Sequence, residues 1–454
     1  MKILFCIFEL TYDDYISIAY LSAIAKKRGH STYFCELKDF ETRLKEIHPD
    51  LVAYSLNIYG FKQIIEQHKK FKNKYNFKSI AGGPQVTMSP ELFSETEIDT
   101  YCLGEGELAW DEYLDKTEQN LSCNNVANLI TSSVINPVRP WIQDLDSIPF
   151  PDRDLVLNNS FLKNTSKKTF YATRGCPFAC NYCVNNNYNM LYKGKGKIIR
   201  KFSPIRVIEE IEYVKSKYRT DFIKFGDDVF ALKTDNWLIE FSKLYKKRIN
   251  IPFNCYLRFD NIDNDLLKLL KECNCYSVKL SVDSSSEYIR EKILGRKMKK
   301  INIVNNLRAI HSFGIKTWVN FMLAVPESTL KDDLESLNIA RKGKATYTAY
   351  STTTPVKGTM LYDYSLTHNL IDSSYLGDMT DCYKKSPYKC FTEKEKNIRY
   401  NIYLLGSITA KLPTPLRQLA ILIIKNIKPN KLFEKLQLIY ETYIRRNVIY
   451  KLKY

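Results

Sequence analysis

Three cysteines stand close together in the stretch Arg174-Gly-Cys-Pro-Phe-Ala-Cys-Asn-Tyr-Cys-Val184. Cys176, Cys180 and Cys183 are separated by three and then by two residues. A structural zinc site uses four ligands, usually as two separated pairs, whereas an iron–sulfur cluster is held by cysteine thiolates at short local spacings. Three local cysteines without a fourth leave one iron of a cubane open. The spacing therefore predicts a [4Fe-4S] cluster with one iron able to bind a small molecule and pass it an electron.

This spacing, with Tyr182 directly before the last cysteine, resembles the radical S-adenosylmethionine (SAM) superfamily. The resemblance implies that the open iron chelates the amino and carboxylate groups of SAM. It further implies that reductive cleavage of SAM gives a 5′-deoxyadenosyl radical. Cys176, Cys180 and Cys183 would then be both the metal ligands and the catalytic residues, with Tyr182 beside the cofactor.

Length and composition favour a folded multidomain protein. At 454 residues the chain is long enough for about two to three domains. Its 44% hydrophobic and 13% aromatic content argues against extended disorder. Its 12 cysteines follow no repeated framework, which is typical of a reducing cytosol and not of a secreted disulfide scaffold. With no run of about 18 apolar residues, we expect a soluble cytoplasmic protein, at most peripheral to a membrane.

The first 117 residues alternate short apolar runs with helical periodicity. Five such units predict a doubly wound, flavodoxin-like parallel sheet, with ligands bound at the carboxyl ends of its strands. The predicted strands are Lys2–Phe8, Thr32–Cys35, Leu51–Ser55, Ser79–Ala81 and Thr100–Leu103.

Glycine-rich turns follow the fourth and fifth of these strands, as Gly82-Gly83-Pro84-Gln85 and Gly104-Glu105-Gly106-Glu107. Glycine lets a backbone approach a ligand closely, although turn geometry alone also selects it. With Ser55 ending the third strand, and with their position ahead of the cysteine loop, these turns resemble the cobalamin-binding domain of B12-dependent radical SAM enzymes. The resemblance implies cobalamin binding near Ser55, Gly82, Gly83, Gln85, Gly104, Glu105 and Gly106. Because the D-x-H-x-x-G signature is missing, we expect no histidine ligand to cobalt.

Six β-then-α units follow and predict a partial (β/α)6 barrel, with function at the carboxyl ends of its strands. The predicted strands are Lys168–Thr173, Phe222–Phe225, Phe253–Leu257, Ser277–Val282, Thr317–Leu323 and Tyr347–Ser351. Among the helices, Pro204–Lys217 has Ser203 as its predicted N-cap, and another covers Glu287–Leu294.

Polar residues at two strand ends of the barrel suit SAM binding. After the second strand, Gly226 allows close approach, and Asp227 and Asp228 carry carboxylates suited to the methionine ammonium, with helix capping as the alternative. At the end of the fourth strand, alternation places Ser281 and Asp283 on one face, suited to the ribose hydroxyls.

Two further positions are interpreted by resemblance. Arg296 resembles the basic residue near the SAM carboxylate, and an ordinary surface arginine is the alternative. Ala324 stands where the family has the glycine of a Gly-x-Pro turn, which puts close backbone approach there in doubt.

We predict four regions: an α/β cobalamin-binding-like domain at 1–135, a linker at 136–165, the barrel at 166–360, and a helical, basic region at 361–454. The net charge is +18, and Ala410–Tyr454 contains ten Lys or Arg against two Glu. A solvated helix face, an anionic membrane surface and an anionic substrate all fit this tail. We expect no nucleic acid partner, because no basic-aromatic sheet or zinc-finger pattern accompanies the charge.

The predicted activity is cobalamin-dependent radical SAM methylation of an unactivated carbon in a metabolite, lipid or peptide, with a flavodoxin- or ferredoxin-type electron donor. Radical cyclisation or rearrangement without methyl transfer is one alternative. A methylthiotransferase-like enzyme with a second cluster on Cys6, Cys35 and Cys102 is another. The non-enzyme alternative is a sensor that binds a cluster and a corrin.

Overall fold

The computed structural model describes residues 1–11, 13–93, 96–298, 302–375, 377 and 386–451. The chain forms two compact units, and each is built from several chain segments. The first unit contains Met1–Thr165, Cys183–Phe202 and Lys357–Thr359. The second contains Ser166–Tyr182, Ser203–Val356 and Met360–Tyr454.

The strands are short and mostly apolar. In chain order they are β1 (Lys2–Ile7), β2 (Ser31–Glu36), β3 (Leu51–Ser55), β4 (Lys78–Gly82), β5 (Thr100–Cys102), β6 (Leu129–Ile130), β7 (Lys167–Phe170), β8 (Thr173–Arg174), β9 (Arg200–Lys201), β10 (Phe222–Phe225), β11 (Phe253–Tyr256), β12 (Cys275–Asp283), β13 (Lys316–Leu323) and β14 (Tyr347–Thr352).

The α-helices alternate with the strands and then run consecutively near the C-terminus. They are α1 (Ile16–Lys27), α2 (Phe40–Ile47), α3 (Phe61–Tyr75), α4 (Pro84–Met88), α5 (Glu107–Glu118), α6 (Arg153–Leu157), α7 (Val184–Leu191), α8 (Pro204–Lys217), α9 (Asn236–Arg248), α10 (Asn264–Glu272), α11 (Ile303–Ser312), α12 (Leu330–Lys342), α13 (Met360–Thr367), α14 (Glu393–Thr409), α15 (Thr414–Asn426) and α16 (Lys431–Tyr443).

The first unit has a sheet of order β2-β1-β3-β4-β5-β6, in which only the β5–β6 pair is antiparallel. Residues Ile3–Ile7 of β1 are at most 1% exposed, because helices cover both faces of a doubly wound sheet. Strand order reverses between β1 and β3, the switch point at which such sheets bind ligands. The predicted doubly wound sheet is confirmed, and β6 is an addition that no sequence pattern indicated.

The second unit has six parallel strands in the order β14-β13-β12-β11-β10-β7, which confirms the partial (β/α)6 barrel. On β12 the apolar Val278, Leu280 and Val282 are buried. Lys279 and Ser281 alternate with them along the strand and are half-buried. Because successive side chains point to opposite faces, Lys279 and Ser281 lie on the face of β12 opposite to these apolar residues. Ser203 caps α8 as predicted, since its side chain accepts from Arg206 N at 3.3 Å.

Two predicted elements differ from the structure. The first barrel strand was predicted to run to Thr173, but β7 ends at Phe170, because Asp227 accepts hydrogen bonds from the Ala172 and Thr173 amides and turns the chain. The predicted helix Glu287–Leu294 contains a π-helical turn at Ile289–Ile293, in which Leu294 N donates to Ile289 O at 3.0 Å. Such one-turn π segments recur at functional sites.

The C-terminal region is helical, as predicted, and α14 joins the barrel through a buried ion pair. Arg399 is 1% exposed and its Nε lies 2.6 Å from Asp333 Oδ2. Arg399 also donates to Ser328 O at 3.1 Å, so the guanidinium links α14 to the chain around the start of α12. No helix in the described part of the chain is long and apolar enough to span a membrane.

Candidate functional site

The cysteine loop follows β8 and is held in place mainly by Asn181. Asn181 N donates to Leu294 O and Asn181 Nδ2 to Ile293 O, both at 2.9 Å. Asn181 O accepts from Leu361 N, also at 2.9 Å. These three bonds attach the loop to the end of the π-helical turn and to the start of α13.

The attachment of the cysteine loop through Asn181 requires a glycine at position 295. Its φ of +61° favours glycine, and a Cβ there would lie 2.5 Å from Asn181 Oδ1 and 3.0 Å from Ala179 O.

The boundary between the two units follows Tyr182. Cys176 and Cys180 therefore belong to the second unit, whereas Cys183, the N-cap residue of α7, belongs to the first.

The three loop cysteines have the donor chemistry that a [4Fe-4S] cluster needs. All three are free thiols, Cys180 buried and Cys176 and Cys183 half-buried. Burial raises the pKa of Cys176 to about 11, and the Asp228 carboxylate adds to the rise, whereas a backbone hydrogen bond at Phe178 and the Arg258 guanidinium oppose it. If Cys176 binds iron, as the spacing predicts, cluster assembly would have to displace its proton.

Within the described residues, no group of three His, Cys, Asp or Glu side chains is arranged to hold a single metal ion. Cys6 and Cys35, which the methylthiotransferase alternative needs, lie opposite one another inside β1 and β2, and both are buried in the sheet, as is Cys102.

Sequence reasoning missed Arg258, which supports the cysteine loop from the barrel. The Arg258 guanidinium carbon lies 3.5 Å from the centre of the Phe178 ring. The same guanidinium forms a two-point contact with Asp260, at 2.9 and 3.0 Å, and donates to Lys297 O at 3.0 Å. Its position just after the third predicted barrel strand was the available signal.

Four of the predicted SAM-site residues meet in one buried network at the end of β12. Tyr182 Oη donates to Asp283 Oδ2 at 2.7 Å, and Arg296 Nε lies 2.8 Å from the same oxygen. Ser281 Oγ donates to the other oxygen of Asp283, and Arg296 Nη2 donates to Ser281 O at 2.7 Å. The structure thus brings together Tyr182, Ser281, Asp283 and Arg296.

Electrostatics define the protonation of this network. Burial raises the pKa of Tyr182 well above its ordinary value and the Asp283 carboxylate raises it further, so Tyr182 is a neutral donor. Burial alone would lower the pKa of Arg296, but Asp283 and Tyr182 outweigh it and hold the pKa above its usual range. Arg296 is therefore a buried, charge-paired arginine and not a surface one. That Ser281, Asp283 and Arg296 contact SAM stays a prediction.

The Gly226-Asp227-Asp228 turn has a structural explanation at its first two residues. A Cβ on Gly226 would lie 2.7 Å from Tyr171 Cζ, so glycine leaves room for that ring. Asp227 Oδ1 accepts hydrogen bonds from Ala172 N at 2.9 Å, from the Thr173 amide and from Thr173 Oγ1 at 2.8 Å. The other carboxylate oxygen, Oδ2, is buried without a hydrogen-bond partner in the described chain. Asp228 is exposed and near Cys176, so it is better placed than Asp227 to meet a ligand.

In the first unit, Ser55 and Gly82 are register partners at the carboxyl ends of β3 and β4. Gly83 has a φ of +112°, and a Cβ there would lie 2.5 Å from Leu56 O. Gln85 on α4 is 1% exposed, and its Nε2 has no partner among the described residues. A buried donor without a partner is costly, which is the expected condition of a group that meets a ligand.

The Gly104-Glu105-Gly106 turn is held by residues that the sequence did not indicate. The Tyr192 hydroxyl fills the space that a side chain at Gly104 would need and accepts from Glu105 N at 2.8 Å. Arg200 Nη1 lies 2.8 Å from both Glu105 carboxylate oxygens. A Cβ on Gly106 would lie 3.6 Å from Cys102 Sγ, which is an ordinary contact. Glu105 is thus committed to an internal ion pair, and its contact with cobalamin stays a prediction.

Comparison with known families matches two regions of the chain. The Radical SAM superfamily model matches residues 170–339, and the B12 binding domain model matches residues 14–114. The chain belongs to the cobalamin-binding radical SAM enzymes. The two matched models together imply a [4Fe-4S] cluster, SAM and cobalamin as its cofactors, which confirms the cofactors predicted from the sequence.

Three relatives illustrate this membership of the cobalamin-binding radical SAM enzymes. The uncharacterized methyltransferase PH0819 of Pyrococcus horikoshii is 26% identical over 78% of this chain and 79% of the relative. The anaerobic magnesium-protoporphyrin IX monomethyl ester cyclase of Rubrivivax gelatinosus is 24% identical over 71% of this chain and 61% of the relative. The solved structure of the radical SAM methyltransferase TsrM from Kitasatospora setae has a TM-score of 0.69 at 13% identity, over 97% of this chain and 99% of that chain, and shows the same fold.

We predict that Gly295→Ala weakens the cysteine loop. The new methyl group would collide with Asn181 Oδ1, 2.5 Å away, in addition to the strain of a positive φ. Iron and sulfide bound per chain after anaerobic reconstitution should fall severalfold. Gly314→Ala is the matched control, because Gly314 has a φ of +70° but its nearest neighbour, Lys271 Nζ, is 3.4 Å away. Equal iron content in the two variants would contradict the prediction.

We also predict that Asp227 makes stability depend on pH. Burial raises its pKa to about 7, and hydrogen bonds from Thr173 and Ala172 only partly oppose the rise. A folded-state pKa above the unfolded value means that this contribution is present at low pH and lost as pH rises towards and beyond 7, by at most on the order of 4 kcal/mol. Asp227→Asn should therefore lose less unfolding free energy between pH 5 and pH 8 than the parent protein, measured by urea denaturation. Asp228→Asn, at the neighbouring exposed carboxylate, is the control. If the free energy of unfolding changed with pH identically in the parent and in Asp227→Asn, the prediction would be refuted.

Proposed function

We propose that this cobalamin-binding radical SAM enzyme transfers a methyl group to an unactivated carbon of a small organic substrate, namely a metabolite, a lipid or a peptide. The observation that carries the proposal is the presence of the cysteine loop and the B12 binding domain in one chain. The similarity to PH0819, which is described as a methyltransferase, supports methyl transfer over the other reactions of this family.

The chain's own residues bind and orient the cofactors and the substrate. When bound, the cluster and SAM supply the one-electron chemistry that opens an unactivated C–H bond, and cobalamin supplies the methyl group. Cys176, Cys180 and Cys183 hold the cluster as thiolates. Tyr182, Asp283 and Arg296 form a preorganised polar wall at the carboxyl end of β12, where function in such barrels resides. Because this wall is already hydrogen-bonded, it needs little reorganisation when a polar ligand arrives.

The substrate is proposed to bind against the face of β12 that carries Lys279 and Ser281. Lys279 is half-buried there, with its Nζ 4.4 Å from the centre of the Trp318 ring and 4.9 Å from that of Tyr256. Lys279 Nζ also donates to Tyr256 Oη at 3.2 Å. Two aromatic rings around one cation would accept a substrate with an apolar body and an anionic or polar group.

The function is tested by anaerobic reconstitution with iron, sulfide and hydroxocobalamin, followed by incubation with methyl-labelled SAM and a strong reductant. We expect a bound cluster, retained cobalamin that acquires the labelled methyl group, and 5′-deoxyadenosine. Cys176→Ala should abolish 5′-deoxyadenosine formation, whereas Cys390→Ala, at an exposed cysteine outside the loop, should leave it unchanged. Persistence of 5′-deoxyadenosine formation in Cys176→Ala would overturn the cluster assignment.

Gln85 is proposed to contact the cobalamin through its buried, unpartnered Nε2. Gln85→Met keeps the length of the side chain but removes the donor, and should weaken cobalamin retention by about tenfold, since one hydrogen bond to a buried donor contributes about 1 to 2 kcal/mol. Equilibrium dialysis with hydroxocobalamin measures the change. Gln119→Met, at an exposed glutamine of the same unit, is the control. Unchanged retention in Gln85→Met would remove Gln85 from the site.

The second candidate is radical cyclisation, favoured by the similarity to the R. gelatinosus cyclase. In that case 5′-deoxyadenosine forms while no label reaches cobalamin, so the reconstitution experiment separates the two reactions. We further propose a flavodoxin- or ferredoxin-type donor, since these small acidic proteins complement a chain of net charge +18. The cytoplasmic location stays a prediction.

A further inference from the structure

The last two α-helices, α15 and α16, pack on the rest of the chain through very few side chains. Ile424 is the one buried residue of the 13 in α15, and Phe433 is the one buried residue of the 13 in α16. Helices with such shallow packing are expected to be polar on their remaining surface. These two instead carry many leucine and isoleucine side chains.

Seven of the eight exposed large apolar residues on these helices form stripes, and Leu438 of α16 lies outside them. On α15, Leu416, Leu419 and Leu422 are 53%, 55% and 56% exposed. On α16, Leu432, Leu436, Ile439 and Tyr443 are 62%, 43%, 58% and 59% exposed. Spacings of three and four residues place each set along one side of its helix. We call these seven residues the C-terminal apolar surface.

Four lysines accompany this surface. Lys425 lies in the last turn of α15, Lys428 lies in the connection, and Lys431 and Lys435 lie on the first turns of α16. All four are exposed, and in the described part of the chain none of them forms an ion pair with a carboxylate. Apolar stripes flanked by unpaired lysines are the pattern of an amphipathic helix that lies in the interface of an anionic membrane.

We propose that α15 and α16 dock this protein on the surface of a membrane that contains anionic phospholipids, with the C-terminal apolar surface in the headgroup–acyl boundary and the four lysines at the lipid phosphates. Each helix is about 20 Å long, which is too short to cross a hydrocarbon core of about 30 Å. The helices therefore lie on the membrane and do not span it.

Charge argues against a second copy of the chain as the occupant. Two copies that met through this surface would bring eight unpaired lysines together, because each contributes Lys425, Lys428, Lys431 and Lys435. Like charges that face one another across an interface are unfavourable. An anionic lipid surface instead supplies the missing negative charge.

The test is vesicle flotation of the full chain. With vesicles of equal parts phosphatidylcholine and phosphatidylglycerol, we expect the protein to float. With pure phosphatidylcholine, or in high salt, the bound fraction should fall about tenfold or more. The triple variant Leu432→Ser, Leu436→Ser, Ile439→Ser and the charge variant Lys428→Gln, Lys431→Gln, Lys435→Gln should each lose flotation.

The control carries three serine substitutions at exposed apolar residues elsewhere, Leu108→Ser, Leu121→Ser and Ile135→Ser, and should float like the parent. Retention of 5′-deoxyadenosine formation by the triple variant shows that it is folded, so loss of flotation reports docking. Failure of the parent protein to bind anionic vesicles would overturn the proposal. A dimer in light scattering that the triple variant abolishes would overturn it in favour of a second copy. Neither outcome bears on the proposed reaction.

Discussion

The side chain and backbone of Asn181 are the attachment on which the rest of the site depends. Between β8 and α7 the cysteine loop has no regular secondary structure, so its shape is set by bonds to other segments. Asn181 supplies three of them, to Ile293, Leu294 and Leu361. The π-helical turn before Gly295 presents the carbonyls of Ile293 and Leu294 to Asn181. A helix that ended here without the π-helical turn would satisfy its last carbonyls with other partners.

Buried charge is the second organising constraint, and three buried aspartates are paired with buried arginines. The Asp260–Arg258 pair follows β11, the Asp283–Arg296 pair lies at the end of β12, and the Asp333–Arg399 pair joins the start of α12 to α14. Removing one partner of such a pair leaves an uncompensated charge, which costs more than the pair contributes. The pairs therefore specify one arrangement of the strand ends, and this fixed arrangement is what a site for a polar cofactor requires.

Much of the architecture was predictable from the sequence because it rests on the periodicity of apolar residues and on the order of strands and helices along the chain. Apolar runs separated by amphipathic helices identify both parallel sheets, and the spacing of Cys176, Cys180 and Cys183 identifies the loop. Residues that act through distant partners were not predictable. Tyr192 and Arg200 reach Glu105 from 87 and 95 positions later in the chain, and nothing local in either segment shows the pairing. The role of two strand-end glycines was not predictable either, since Gly104 and Gly226 leave room for Tyr192 and Tyr171.

The path of the chain through the first unit has a consequence for biosynthesis. Glu105 needs Arg200, and Ser89 Oγ donates to Lys357 O at 3.0 Å, so contacts of the N-terminal sheet come from segments made much later. A nascent chain that has emerged only to Thr165 has all six strands of this sheet but leaves the Glu105 carboxylate without its guanidinium. Long-range closure of this kind slows folding and exposes partly finished intermediates. The first unit therefore cannot complete these contacts until Lys357 has been synthesised.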